Sequence, residues 1–235
     1  MPSQLTYVVK APHQPSVAVV DLVERFPVHR IYCVGRNYAD HAREMGGTGR
    51  EAPFFFMKPA DAIVPADGTD AVRVPYPPLT SDLHHEVELV LAIGMGGRDI
   101  SVERALDHVW GYAVGLDMTR RDLQSVMKGS GKPWSIAKGF DASAPIGSIT
   151  PRDQAGLIEQ AGIALKVNGQ TRQSSRTDHM IWSVAEIIAE LSCAWTLAPG
   201  DLIYSGTPAG VGPVVVGDEL IATIDGLQAL RVLIA

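Results

Sequence analysis

The sequence predicts an α+β fold with a β-rich core. Short apolar runs punctuated by glycine and proline recur along the chain, and only two or three segments carry helix-start signals. There is no regular strand–helix alternation of the kind that builds a doubly wound sheet. Residues 1–27 hold scattered proline and polar side chains around one short apolar pattern. They are expected to form an N-terminal arm laid on a single domain at 28–235. Ile31-Tyr32-Cys33-Val34 is a β-type run stopped by Gly35, and the spacing over 37–45 predicts a short helix closed by Gly46 and Gly47. Phe54-Phe55-Phe56-Met57 reads as an aromatic strand. The stretch 59–78 reads mostly as loop, because proline has no amide to give to a ladder.

Segments 86–93 and 110–116 are apolar and β-branched enough for buried strands, and Thr119-x-x-Asp122 has the spacing of a capped helix start running toward Met127. Leu165-Lys166-Val167 leads into Asn168-Gly169, a pair that tolerates positive φ at both positions and so predicts a two-residue hairpin. Ser183-x-x-Glu186 repeats the capping-box spacing ahead of Ile187, Ile188 and Leu191, which predicts the clearest helix of the chain. Short strands with glycine turns follow to the end.

Composition narrows the function. A hydrophobic share of 46% and a charged share of 20% are those of an ordinary globular protein, and 235 residues make one domain the default. Acidic residues outnumber basic ones 26 to 20, leaving a formal charge of -6, so no field exists to hold a polyanion and nucleic acid is not an expected partner. Cys33 and Cys193 fit no metal or redox spacing and suit free thiols in a reducing compartment, so the cytoplasm is expected. Cys33, inside a strand, reads as a small buried hydrophobe. No apolar run approaches the length needed to cross a bilayer, so no membrane segment is expected.

The chemistry concentrates in Leu83-His84-His85-Glu86-Val87-Glu88-Leu89. Strand parity sends Glu86 and Glu88 to one face while Val87, Leu89 and Leu91 take the other. Two carboxylates side by side near a core repel unless one keeps its proton or a divalent cation lies between them. Asp117, ending the apolar run from Gly111 to Leu116, is the third candidate. Three carboxylates without cysteine make a hard oxygen site suited to Mg2+, Mn2+ or Ca2+. From the E-x-E alone, carboxylates on the solvent face of an edge strand are the commoner arrangement. His84 shares the glutamates' parity and fits either a fourth ligand or, more readily, a histidine bonding a neighbouring carboxylate.

Seven segments together carry a resemblance: GRNYADHAREMG at 35–46, PFFFMKPADAIV at 53–64, LHHEVELVLAIG at 83–94, GYAVGLDMTRRDLQ at 111–124, KPWSIAKGFD at 132–141, LKVNGQTRQ at 165–173 and GDLIYSGTPAGVGPV at 200–214. Through them the chain from Ile31 onward resembles the fumarylacetoacetate hydrolase superfamily, especially its acylpyruvate and fumarylpyruvate hydrolases. The resemblance implies a mixed β-roll or sandwich core of the family's C-terminal-domain kind, a homodimer, and Mg2+ or Mn2+ held by Glu86, Glu88 and Asp117. It also implies catalytic roles for His41 and Glu44, an active-site Lys138, and substrate contacts at Arg121, Gln124 and Thr207.

His41 and Glu44 are three apart, so on a helix they share a face. Their Gly-bracketed segment is expected to act as a lid, and Arg36 and Arg43 beside it are the expected partners of a distal substrate carboxylate. Lys58 fits a balance for the acidic cluster and a surface position equally well. Gly206-Thr207-Pro208-x-Gly210-x-Gly212 lacks the Gly-Lys-Ser/Thr ending of a phosphate loop, so its amides and Thr207 are expected to meet a carboxylate instead.

The function implied is metal-dependent hydrolysis of a C–C bond in a small 2,4-dioxo acid. The segments around Phe54–Phe56 and Lys138 are most like the fumarylpyruvate subgroup, which gives fumarate and pyruvate in gentisate breakdown. Acylpyruvate hydrolase, oxaloacetate decarboxylase and 2-oxohept-3-enedioate isomerase/decarboxylase share the metal trio and stay open. A non-catalytic metal- or carboxylate-binding protein would have no need of His41 and Glu44.

Overall fold

Val87–Ile93 and Val109–Leu116, the longest apolar strands, pair antiparallel with Val87 opposite Leu116 at the middle of an eight-stranded mixed sheet. The computed structural model describes residues 6–39 and 50–235. Across the large sheet the order is Phe54–Lys58, Ile31–Gly35, Leu202–Tyr204, Val87–Ile93, Val109–Leu116, Ala144–Ile146 and Ile63–Pro65, with Thr150–Pro151 also pairing Val109–Leu116. Leu202–Tyr204 runs parallel to Ile31–Gly35, and Ala144–Ile146 runs parallel to Ile63–Pro65. A five-stranded sheet orders Gln170–Arg176, Gly162–Val167, Glu219–Ile224, Leu230–Ile234 and Val72–Val74. A three-stranded sheet joins Thr119–Arg120, Leu83–His85 and Gly212–Val214. The result is the expected β-rich fold with a few short helices.

Every residue of Val87–Ile93 is buried, and its alternating side chains feed two apolar clusters. Val87, Leu89, Leu91 and Ile93 join the larger, which they share with Leu165, Leu220 and Ile188. Val90 and Ala92 join the smaller, with Val17, Phe26 and Tyr204. Burying a side chain of this size is worth about 1.5–3 kcal/mol, so the strand is anchored from both faces. Glu88 shares the parity of Val90 and inherits that rigidity. At the N-terminal end Ser16–Ala18 pairs with Arg25–Pro27, and Val17 and Phe26 are buried.

Four α-helices follow in chain order among the described residues: α1 (Val102–Ala105), α2 (Arg121–Gly129), α3 (Ser135–Lys138) and α4 (Val184–Ala194). The capping box of α4 forms in full, with Ser183 N donating to Glu186 Oε2 at 2.9 Å and Glu186 N to Ser183 Oγ at 3.4 Å; such a cap is worth about 1 kcal/mol. The hairpin forms too, with Asn168 at φ 49° and Gly169 at φ 77°.

Three expectations change. The Thr119 hydroxyl donates to Asp117 O rather than capping α2, and Asp122 instead accepts from Thr80 Oγ1 and Ser81 N; Thr119 is already committed to the three-stranded sheet. The 59–78 stretch, expected as mostly loop, is loop over most of its length but also carries the short strands Ile63–Pro65 and Val72–Val74, because proline is tolerated where a strand begins or on a sheet edge. The strand expected from residue 86 starts at Val87, which leaves Glu86 between two ladders. Of the helix and lid expected over 37–45, residues 40–45 lie outside the described residues, and Tyr38 forms an antiparallel bridge with Met180. No helix of the described residues is long and apolar enough to cross a membrane.

Candidate metal centre and substrate pocket

The register that sets Val87 opposite Leu116 brings Glu86 beside Asp117, and Asp117 N donates to Glu86 O at 2.9 Å. Glu88 follows two residues on. All three carboxylates are buried, and one oxygen from each lies within 4.8 Å of the others. Glu88 Oε2 accepts the amide of Gly206 at 2.8 Å. Gly206 sits at φ +99°, and a Cβ there would stand 2.6 Å from Asn37 Cβ, so this close approach requires glycine. Burial, then Asp117 and Glu86, push the Glu88 carboxyl well above its usual range.

Cations surround the trio. Lys138, at the end of α3, donates to Asp117 Oδ2 at 2.6 Å and to Glu86 Oε2 at 2.7 Å. Burial works against its ammonium, but Asp117 and Glu86 outweigh that and hold its pKa above the ordinary value. Lys58, also buried, donates to Met118 O at 3.2 Å and to Lys138 O, with its Nζ 2.8 Å from Asp117 Oδ1. This decides Lys58 in favour of charge balance. Arg121, opening α2, bonds Glu86 Oε1 and Gln124 Oε1. Its Nε donates to His84 Nδ1 at 3.3 Å while His84 Nε2 meets Asp82 at 2.9 Å. His84 therefore orients Arg121 and stands outside the trio.

Asp117 Oδ1 is buried and, among the described residues, takes part in no hydrogen bond, with the Lys58 ammonium 2.8 Å away as an ion-pair partner. An all-oxygen trio with one unsatisfied buried oxygen fits a hard divalent cation.

The trio opens into a pocket that Arg36, Arg121, Gln124, Lys138 and Thr207 also line, so these residues, selected from sequence, converge. An aromatic wall closes one side: Trp134 packs edge-on against Phe54, with ring centres 5.3 Å apart, and tilts against Phe56 at 6.0 Å. Arg36 has φ 57°, a conformation that costs a non-glycine residue on the order of 1 kcal/mol. Among the described residues nothing bonds its buried Nε, and its guanidinium lies 5.8 Å from the Phe54 ring centre. His41 and Glu44 lie outside the described residues.

Residues 30–235 match the family model described as fumarylacetoacetate (FAA) hydrolase C-terminal. The chain belongs to the fumarylacetoacetate hydrolase family. It is 48% identical over 180 residues to a fumarylpyruvate hydrolase of Ralstonia sp, covering 77% of this chain and 91% of that one. It is 44% identical over 202 residues to a mitochondrial oxaloacetate tautomerase of Arabidopsis thaliana, covering 86% and 89%. The crystal structure of the Pseudomonas aeruginosa fumarylpyruvate hydrolase, in complex with Mn2+ and pyruvate, is 51% identical, with a TM-score of 0.96 over 98% of this chain and 99% of that one.

Two buried residues of this fumarylacetoacetate hydrolase family member escaped the sequence reading. Asn37 donates to Ser205 O at 2.8 Å and Trp182 O at 3.0 Å and accepts from Trp182 N at 2.8 Å, tying the chain before the 40–49 segment to the Gly206 loop. Gln173 bridges His85, Val87 and Thr207. Their partners are distant in sequence, so no local spacing announces either.

Proposed function

We propose that this chain hydrolyses fumarylpyruvate, a 2,4-dioxo acid with a carboxylate at each end, to fumarate and pyruvate, with Glu86, Glu88 and Asp117 holding Mg2+ or Mn2+. The observation that carries the reading is the charge balance of the pocket. With a dication keeping all three carboxylates ionised, Lys58, Lys138 and Arg121 balance them, so the dication together with Arg36 makes the pocket strongly positive and suited to a dianion. The Pseudomonas aeruginosa relative was solved with Mn2+ and pyruvate, and pyruvate is a product of this reaction.

A bound dication supplies Lewis-acid polarisation of the substrate's keto oxygen. The protein's own groups do the rest. Arg36 takes the distal carboxylate, and Thr207, Arg121 and Gln124 hold the pyruvate end, while the Phe54, Phe56 and Trp134 wall keeps bulk water away. His41, oriented by Glu44, removes a proton from the water that attacks the C4 carbonyl, and Lys138 stabilises the oxyanion. The C3–C4 bond breaks, its electron pair stays on C3, and the proton that His41 took from water passes to C3 to complete the methyl group of pyruvate. The domain at 28–235 carries this chemistry, with 1–27 as an arm, in a cytoplasmic homodimer.

Oxaloacetate is a second reading, favoured by relatives at 43–44% identity that act as its tautomerase or decarboxylase. Pyruvate release and substrate ultraviolet absorbance, followed with fumarylpyruvate, acetylpyruvate and oxaloacetate with and without Mn2+, test both. Metal-dependent fumarate formation at the highest kcat/KM supports the hydrolase; faster conversion of oxaloacetate overturns it.

A further inference from the structure

Gln173, on the Gln170–Arg176 strand, is fully buried, and both ends of its amide are committed. Oε1 accepts from Val87 N at 3.1 Å and lies 2.9 Å from His85 Nδ1. Nε2 donates to Thr207 Oγ1 at 2.7 Å and to Pro208 O at 2.9 Å. The amide has one possible orientation, because Val87 N can only donate and Pro208 O can only accept. Thr207 Oγ1 must therefore accept from Gln173, which leaves the hydroxyl proton for a different partner. Among the described residues nothing takes that proton, and Thr207 lines the pocket beside the carboxylate trio.

We infer that Gln173 is a positioning residue that fixes Thr207 as a hydrogen-bond donor to an anionic oxygen of the bound substrate. The same amide holds the backbone at Val87, between Glu86 and Glu88, so one side chain sets the Thr207 hydroxyl against the trio. The inference rests on the reading above that the pocket takes a keto acid, and it concerns the direction of one hydrogen bond. A carboxylate at position 173 could still accept from Val87 N but could not donate, so Thr207 would turn its proton toward it and away from substrate.

The test is a cycle of wild type, Gln173→Glu, Thr207→Val and the double variant, each loaded with Mn2+ and titrated with pyruvate by calorimetry. A hydrogen bond to a charged acceptor predicts that each single variant weakens pyruvate by about tenfold or more. Gln173→Glu should add less than about threefold once Thr207 is valine, with Mn2+ affinity near wild type in all four. An equal loss from Gln173→Glu in both backgrounds means the new charge simply repels the anion, which overturns the inference. If Thr207→Val weakens pyruvate but Gln173→Glu does not, the inference alone falls. If Thr207→Val has no effect, the keto-acid role of Thr207 falls and takes the inference with it. Should Gln173→Glu not accumulate folded, the uncharged Gln173→Met carries the same cycle, with its loss again required to vanish beside valine.

Discussion

The Lys138 ammonium donates to Asp117 Oδ2 at 2.6 Å with both groups buried. Removing one partner of such a pair strands the other charge, at a cost of about 3–5 kcal/mol. Lys138→Met should therefore lower the melting temperature of the metal-free protein and reduce kcat. Mn2+ should then stabilise the variant more than it stabilises wild type, because the dication neutralises the carboxylates that the lysine no longer serves. Thermal scans with and without Mn2+ read this directly. Equal metal-induced shifts in the two proteins would show that Lys138 and the metal do not share the same charges.

Glu88→Gln and Asp117→Asn keep the shape of the trio and each remove one charge. Either should weaken Mn2+ by about a hundredfold or more and abolish turnover, since two carboxylates hold a hydrated hard cation poorly. Calorimetric titration with Mn2+ gives the affinity. Full activity of EDTA-treated Glu88→Gln protein would exclude the trio as the metal site.

Burial drives the His85 imidazole down to about 4, and the hydrogen bond that its Nδ1 gives to Gln173 Oε1 recovers only part of that loss. His84 is shifted the same way by burial and by Arg121. As pH falls below the ordinary histidine range, the unfolded chain takes up protons that the folded chain refuses. Stability should therefore fall between about pH 6.5 and pH 4. Denaturant midpoints measured across that window should lose more in wild type than in His85→Gln, a comparison that cancels the opposite contribution of the raised Glu88 carboxyl. Equal profiles in the two proteins would show that His85 takes up its proton as readily in the fold as in the unfolded chain.

Local periodicity explains which parts of the protein were legible. The Asn168-Gly169 hairpin and the Ser183–Glu186 box are decided by residues within a few positions of one another, and both formed as spacing required. The parity of Glu86, Glu88 and Val87 was readable for the same reason, and the antiparallel register then carried Asp117 to them. Thr119 went astray because its local capping pattern lost to pairing with His84 in another strand. Lys58 could not be decided from its neighbours, since what buries it is Asp117 and the carbonyl oxygens of Met118 and Lys138, brought in by the fold.

Arg36 lines the pocket, and among the described residues nothing bonds its buried Nε. A guanidinium so placed gains most from a substrate that brings its own carboxylate. Arg36→Met should raise KM for fumarylpyruvate by about tenfold or more and leave acetylpyruvate, which has no distal carboxylate, within about threefold. Steady-state kinetics on the two substrates decide it, and equal losses on both would return Arg36 to a structural role against Phe54.

His41 and Glu44 are spaced three apart, and the proposed hydrolysis requires a base to deprotonate water. Glu86 is bonded by Arg121 and Lys138, Asp117 Oδ2 by Lys138 and Glu88 Oε2 by the Gly206 amide, and all three are the proposed metal ligands. The family resemblance gives the task to His41, whose residue type has an ordinary pKa suited to it. His41→Ala should lower kcat by about 10²–10⁴-fold, the usual worth of a positioned base, while Mn2+ and pyruvate affinities stay near wild type. Glu44→Gln should give a smaller loss, because it removes the orienting charge but keeps the imidazole. Single-turnover hydrolysis and Mn2+ titration on the two variants separate the outcomes. Unchanged hydrolysis in His41→Ala would hand the proton to another group, and lost Mn2+ binding would move the histidine into the metal's own coordination.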